Sequence, residues 1–348
     1  MEPFRVALSG DFRQSDGSPT FPSFDLAPLT GNSDVDMVWV DAVDGIIPAE
    51  GLADCDALIL LAAKVTADSL SANDRLAAVA RFGVGYDNVD VEACSANNVA
   101  VIITPDGVRR PVAVSIITYV LALSQKLLIK DRICREGPSG WDKRAAFMGE
   151  GLVGKTFGQL GMGNIGAEAF RMAAPFGMRL IAHDPYADET LARDLGIELV
   201  SPEVLFREAD FLSVSVPLSD ATHHYVNAER LAQMKPTAFL INTARGPIVD
   251  QVALYDALVG GTIAGAGLDV FEVEPAPADE PILKLENVIV TPHALCWTDE
   301  CFAGNGAADV AAVFDIMNGR QPRGIVNRDI TGDAKWLAKL EEFGRRFS

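Results

Sequence analysis

The run Gly161-Met162-Gly163-Asn164-Ile165-Gly166 constrains this chain more than any other stretch, because of what flanks it. Thr156–Leu160, just before, is short and apolar enough for a buried strand, and the Ala-rich segment 167–176 after it reads as a helix. A second apolar run, Arg179–His183, ends in Asp184. Strand, glycine turn, helix, strand and acid follow in the order of a dinucleotide-binding βαβ unit. Gly161 permits the tight turn, Gly163 lets backbone approach a pyrophosphate, and Gly166 lets helix and strand pack closely. The helix N-terminus, at Asn164 and Ile165, offers free N–H groups and a positive dipole end to phosphates. A lone GxGxxG is weak, since glycine turns are common in α/β proteins. Here Asp184 stands 18 residues beyond Gly166, near the spacing at which an acid meets a ribose. Its charge would accept from both ribose hydroxyls of NAD and repel the 2′-phosphate of NADP.

A chain of 348 residues is too long for one ordinary core and predicts two domains, and its 49% hydrophobic content can fill both. The formal charge of −19 argues against nucleic acid or an anionic membrane as a general partner. An anionic substrate then needs locally placed Arg or Lys. The longest apolar run, residues 112–123, is interrupted by Ser115 and Thr118, so the expectation is no membrane span. The N-terminus lacks a basic segment followed by an apolar one, so no secretory signal is expected. Five cysteines at irregular spacing (Cys55, Cys94, Cys134, Cys296, Cys301) fit a reducing cytoplasm better than a disulfide framework. Cys296 and Cys301 have no accompanying Cys or His pair, so no metal site is expected.

Taken in order, strand-like runs at 4–8, 36–40, 57–61, 76–81 and 99–103 alternate with helical segments, which predicts a mostly parallel α/β unit. The loop Arg81-Phe82-Gly83-Val84-Gly85-Tyr86-Asp87-Asn88 follows the fourth run and exposes backbone N–H groups where α/β proteins bind ligands. An ordinary βα turn explains it equally well. Thr104-Pro105-Asp106-Gly107 is a hinge candidate, and residues 108–130 read as one long apolar helix with Pro111 in its first turn. A helix apolar on most sides is buried between domains or subunits. With the loop 137–141 behind it, it predicts a homodimer. Further strands are expected at 211–216, 238–242, 264–270 and 288–291, then a helix over 299–318 and an amphipathic tail over 335–347.

Three strand ends carry chemistry. Arg245 follows Asn242-Thr243-Ala244, and an Arg fork matches a carboxylate bidentately. Asp269-Val270-Phe271-Glu272-Val273-Glu274 ends the next strand, and Thr291-Pro292-His293 the last. Surface Arg, solvated Glu and loop His are each commoner than catalytic ones. Strand ends on one sheet edge converge, however, so behind a dinucleotide fingerprint the three together point to one cleft.

These segments, with Gly83-Val84-Gly85-Tyr86-Asp87-Asn88, Val216-Pro217-Leu218 and the run 234–246, resemble the D-isomer-specific 2-hydroxyacid dehydrogenases over roughly residues 55–330. The resemblance implies two doubly wound parallel-sheet α/β domains, Rossmann-like and flavodoxin-like, with a cleft between them. A discontinuous substrate domain would take 1–104 and 296–348, and an NAD-binding domain 105–295. It makes His293 the acid/base, Glu274 its partner, Arg245 the substrate clamp and Asp269 a contact to the nicotinamide amide. It adds Val216, Pro217, Thr222, Thr243 and Ala244 to the cofactor contacts, and Val84, Gly85, Lys64 and Trp297 to the substrate side. Two departures weaken the case for a phosphorylated substrate. Leu60-Leu61-Ala62-Ala63-Lys64 lacks the Arg that phosphoglycerate dehydrogenases often carry there, and about 20 residues past position 330 leave no room for a regulatory domain. Arg109 and Arg110 open the long helix. As a hypothesis, one of them meets a second anionic or polar group of the substrate, although a solvated pair or a subunit contact is the plainer account. The resemblance thus implies an NAD-dependent oxidoreductase that moves a hydride between nicotinamide and C2 of a small D-2-hydroxy acid or 2-keto acid, and the cysteines and N-terminus place it in the cytoplasm as an expectation. An NAD-sensing corepressor on the same fold is the alternative from a different class.

Overall fold

A computed structural model describes residues 2–347, and the chain divides into two compact units. The first runs to Val108 and resumes at Trp297; the second is Arg109–Cys296. The division falls inside the helix Pro105–Ser124.

The first unit holds five parallel strands, β1 (Phe4–Ser9), β2 (Val35–Val40), β3 (Ala57–Leu60), β4 (Ala78–Arg81) and β5 (Ala100–Ile103), in the order β2-β1-β3-β4-β5. This is the flavodoxin-like winding, whose ligand crevice lies outside the carboxyl ends of the strands. Leu58, Leu60, Val79 and Val101 alternate into one core with Leu52, Leu70 and Val89. The amphipathic C-terminal helix Ala334–Phe347 buries Trp336, Leu340 and Phe343 in the same unit. Trp336 Nε1 donates to Ala77 O at 2.9 Å, so the one polar atom of that buried ring is satisfied.

The second unit holds seven parallel strands, β6 (Thr156–Leu160), β7 (Arg179–His183), β8 (Glu198–Leu199), β9 (Phe211–Val214), β10 (Phe239–Asn242), β11 (Gly265–Leu268) and β12 (Val288–Val290). Their order, β12-β11-β10-β9-β6-β7-β8, is the Rossmann winding with one more strand, reversing direction of travel between β6 and β9. Both faces are covered, which is why its strands read as continuous apolar runs. Along β10, Leu240 faces one cluster with Leu212 and Ile181, while Phe239 and Ile241 face the other with Phe157 and Leu180.

Two expectations about the long helix need correction. It begins at Pro105 and stops at Ser124, where Lys126 adopts a left-handed φ of 51°, and a separate helix spans Leu127–Arg135. The break has a cause: the chain at 149–150 crosses there, with Glu150 N donating to Ser124 O at 2.7 Å. A carbonyl engaged by a passing segment no longer propagates its own helix. Pro111 therefore sits inside the helix rather than in its first turn, and omits one backbone hydrogen bond. The helix is long and apolar enough to cross a membrane by length and composition, and 56% of its apolar window is buried inside the protein, as in a core helix. The fingerprint helix starts at Asn164, and Pro175 tightens its end into a 3₁₀ turn.

Candidate active site

The glycine turn at the end of β6 does three separate jobs. Gly161 has φ of 98°, and a Cβ there would lie 2.6 Å from Ser215 O. A Cβ on Gly166 would lie 2.7 Å from Gly161 O, so helix and turn meet only through glycine. At Gly163 a Cβ would meet nothing within 4 Å, so this side of the turn is open. The helix Asn164–Ala173 begins behind it with its N–H groups facing the turn. Asp184 closes β7: its Oδ2 accepts from Met162 N and its Oδ1 from Tyr186 N, both at 2.8 Å. The acid thus holds the glycine turn and keeps lone pairs for further donors. An open glycine, a helix N-terminus and a fixed carboxylate form a donor and acceptor set that fits a dinucleotide.

Loops after β9 and β10 extend this edge. Thr222 Oγ1 donates to Pro217 O at 2.7 Å and accepts from Ser219 N at 2.8 Å, closing the Val216–Thr222 loop on itself. Asn242 receives Ala244 N at 3.0 Å and donates to Arg245 O at 2.9 Å, so the turn carrying Thr243 and Ala244 also fixes the base of Arg245. Gly246 must be glycine, because a Cβ there would lie 1.9 Å from the Phe271 carbonyl. The Arg245 turn and the loop after β11 are therefore packed backbone to backbone.

That loop delivers Glu274, and the turn after β12 delivers His293. His293 Nδ1 and Glu274 Oε2 are 2.7 Å apart, and Glu274 Oε1 accepts from Phe271 N at 2.9 Å. Burial pushes the Glu274 carboxyl up, but the His293 hydrogen bond and charge, the Phe271 N–H and Arg245 together hold it below the ordinary 4.5. Glu274 is thus the ionised partner. With Nδ1 engaged, Nε2 is the imidazole nitrogen left for a reacting group. His293 has a left-handed φ of 53°, held by its own N–H donating to Asp269 O at 2.7 Å. Asp269 is buried (3% exposed), and its Oδ1 accepts from Thr291 Oγ1, Ala294 N and Leu295 N.

Residues expected on the substrate side lie mostly in the first unit. Val84 and Gly85 follow β4, half-buried, and their N–H groups have no protein partner among the described residues. Lys64 is exposed beyond β3. Trp297 is 46% exposed and packs edge-on against Phe21 and Phe302. Arg110 lies in the second unit, 2.8 Å from Glu168 on the fingerprint helix, so its charge is matched within that unit. None of the five cysteines forms a disulfide.

Sequence reasoning passed over two features. His224 Nε2 lies 2.7 Å from Glu272 Oε1, which also accepts from Gln251 N at 3.1 Å, and His224 N donates to Pro247 O. With Asp250 these are three metal-capable groups within 4.8 Å, but they are satisfied by one another and by backbone. The pair staples the loop after β9 to those carrying Arg245 and Glu274. The second feature is Tyr119, whose hydroxyl lies 2.5 Å from Thr291 Oγ1. The signal for the first was a histidine in a chain with only four. For the second it was the single aromatic residue of the helix Pro105–Ser124.

The second unit thus joins a glycine turn that fits a dinucleotide to an acid–histidine pair on the same carboxyl edge of a parallel sheet. Residues 117–294 match the family described as D-isomer specific 2-hydroxyacid dehydrogenase, NAD binding domain. A glyoxylate reductase of Korarchaeum cryptofilum is 40% identical over 284 residues, 81% of this chain and 85% of that protein. A hydroxypyruvate reductase of Thermotoga maritima is 41% identical over 263 residues, 74% of this chain and 84% of that one. The holo form of Rhodotorula graminis D-mandelate dehydrogenase superposes with a TM-score of 0.79 at 26% identity, covering 94% of this chain and 98% of that one. The chain belongs to the D-isomer-specific 2-hydroxyacid dehydrogenase family and is an NAD-dependent enzyme of that class.

Proposed function

We propose that this enzyme reduces a small, unphosphorylated 2-keto acid to the D-2-hydroxy acid, with His293 as acid/base, Glu274 as its partner and Arg245 as the carboxylate clamp. The observation that carries this reading is the 2.7 Å His293–Glu274 pair on the strand edge that also bears Arg245. NADH, when bound, supplies the hydride. Gly161, Gly163 and the N-terminus of the helix at Asn164 and Ile165 would hold its pyrophosphate, and Asp184 its ribose. Val216, Pro217, Thr222, Thr243 and Ala244 would line its path, and Asp269 would accept from its carboxamide. Arg245 orients the substrate carboxylate and draws electron density from the adjacent carbonyl. His293 gives the Nε2 proton to the carbonyl oxygen as negative charge develops, and ionised Glu274 stabilises the imidazolium needed for that step. In the reverse direction the same nitrogen removes the hydroxyl proton.

Two of the relatives are named glyoxylate and hydroxypyruvate reductase, which supports a small substrate, whereas others are named D-3-phosphoglycerate dehydrogenase. The absence of Arg from Leu60–Lys64 supports an unphosphorylated one. Val84 and Gly85 N–H groups, Lys64 and Trp297 are the further substrate contacts proposed, and Arg110 has the weaker claim because Glu168 already pairs with it. The test is NADH oxidation over a panel holding glyoxylate, hydroxypyruvate, pyruvate, bulkier keto acids and 3-phosphohydroxypyruvate. Turnover on one class, falling by roughly 10²–10⁴ in His293→Ala, is the expected result. Tight NADH binding without turnover on any acid would favour the sensor reading instead.

A further inference from the structure

Tyr119 is 1% exposed in the second unit, and its ring occupies space that exists only because residue 267 is glycine. A Cβ on Gly267 would lie 2.5 Å from the Tyr119 ring. The tyrosine hydroxyl is 2.5 Å from Thr291 Oγ1, and Thr291 Oγ1 is 2.5 Å from Asp269 Oδ1. The threonine has one hydroxyl proton, and the carboxylate next to it has none, so that proton goes to Asp269. The tyrosine must then donate to the threonine. Burial pushes the Tyr119 phenol up and keeps it a donor. Direction along the chain is therefore set: Tyr119 to Thr291 to Asp269.

The consequence falls on the two oxygens of Asp269. Oδ1 accepts from Thr291, from Ala294 N at 3.1 Å and from Leu295 N at 3.2 Å, while among the described residues Oδ2 has only the long 3.4 Å contact from Leu295 N. One oxygen is saturated by the protein; the other keeps its acceptor capacity. We propose that Tyr119 is a positioning residue for cofactor recognition, fixing Asp269 through Thr291 so that Oδ2 is reserved for the nicotinamide carboxamide. This rests on the reading of Asp269 as the carboxamide acceptor. It also ties the helix Pro105–Ser124 to the turn bearing His293, whose N–H donates to the Asp269 carbonyl.

The experiment is calorimetric titration with NADH and with its reduced 3-acetylpyridine analogue, in which a methyl group replaces the amide nitrogen and cannot donate. Tyr119→Phe keeps the ring in the Gly267 space and removes only the hydroxyl. NADH binding is expected to weaken roughly 3- to 10-fold, the worth of one ordered hydrogen bond, with analogue binding unchanged. Thr291→Val cuts the same chain without touching the ring and should reproduce the split. Equal weakening of both ligands, or no change in either, overturns the proposal. Asp269→Ala separates the two levels. If it collapses the NADH-to-analogue ratio while Tyr119→Phe does not, only the positioning role fails; if it leaves the ratio intact, the carboxamide reading fails and takes the positioning role with it.

Discussion

Glu274 shows how one side chain couples acid–base chemistry to stability. Its folded pKa lies below the ordinary 4.5, because the His293 hydrogen bond and charge, the Phe271 N–H and Arg245 together outweigh burial. A carboxyl depressed by folding stabilises the native state fully above its unfolded pKa, and that contribution is lost as pH falls through the folded value. Tm of the native enzyme is therefore expected to decline from about pH 5 downward more steeply than that of Glu274→Gln. Parallel slopes in a pH series of melting curves would show that the pair does not ionise as described. Asp184 makes a second residue-scale case. Because its carboxylate already ties down Met162 and Tyr186, replacement by Ser removes both the charge that repels a 2′-phosphate and the restraint on the turn. The Asp184→Ser enzyme is expected to lose NADH affinity and to narrow its gap against NADPH, read as the ratio of kcat/KM values. An unchanged ratio would dissociate Asp184 from cofactor choice.

At the scale of elements, the glycine turn separates folding from binding. Gly161→Ala places a Cβ at φ of 98° and 2.6 Å from Ser215 O, so it is expected to lower stability by about 1–3 kcal/mol, seen as a fall in Tm. Gly163→Ala meets nothing in the protein. It should leave Tm alone and weaken NADH binding by fluorescence titration, because the methyl occupies the pyrophosphate side. A Tm loss at Gly163 as large as at Gly161 would refute the division of labour. This turn was legible in the sequence because glycine roles, helix start and acid are all local, within one βαβ unit. The places of Arg245, Glu274 and His293 in the loops beyond β10, β11 and β12 were legible as well, because each strand announced itself by an apolar run. The break at Gln125–Lys126 was not legible, since it comes from a segment 25 residues away crossing Ser124. Nor were the His224–Glu272 and Tyr119–Thr291 contacts, which join residues 48 and 172 apart. Local pattern reports faces and ends of elements; it is silent on which side chains from distant elements meet.

For the whole molecule, the helix Pro105–Ser124 faces two ways. Ala113, Ile116, Tyr119, Val120 and Leu123 are buried in the core of the nucleotide unit. Val114 and Leu121 stand 44% and 36% exposed on the other side, and Leu127 and Leu128 of the next helix are more than half exposed. With a net charge of −19, the chain has ample polar surface for its outside, so apolar residues concentrated on one exposed helical face need covering. A second copy of the chain is the proposed cover, since a two-fold pairing buries one such stripe against itself. Light scattering during gel filtration is expected to give twice the 37.1 kDa chain mass. Val114→Glu combined with Leu121→Glu sets four carboxylates against one another across that axis and should shift the mass to that of one chain. Neither residue belongs to the nucleotide-domain core cluster, so the domain should stay folded and NADH binding should persist in the variant. A native mass of one chain, or a variant that keeps the doubled mass, would locate any self-association elsewhere on the surface.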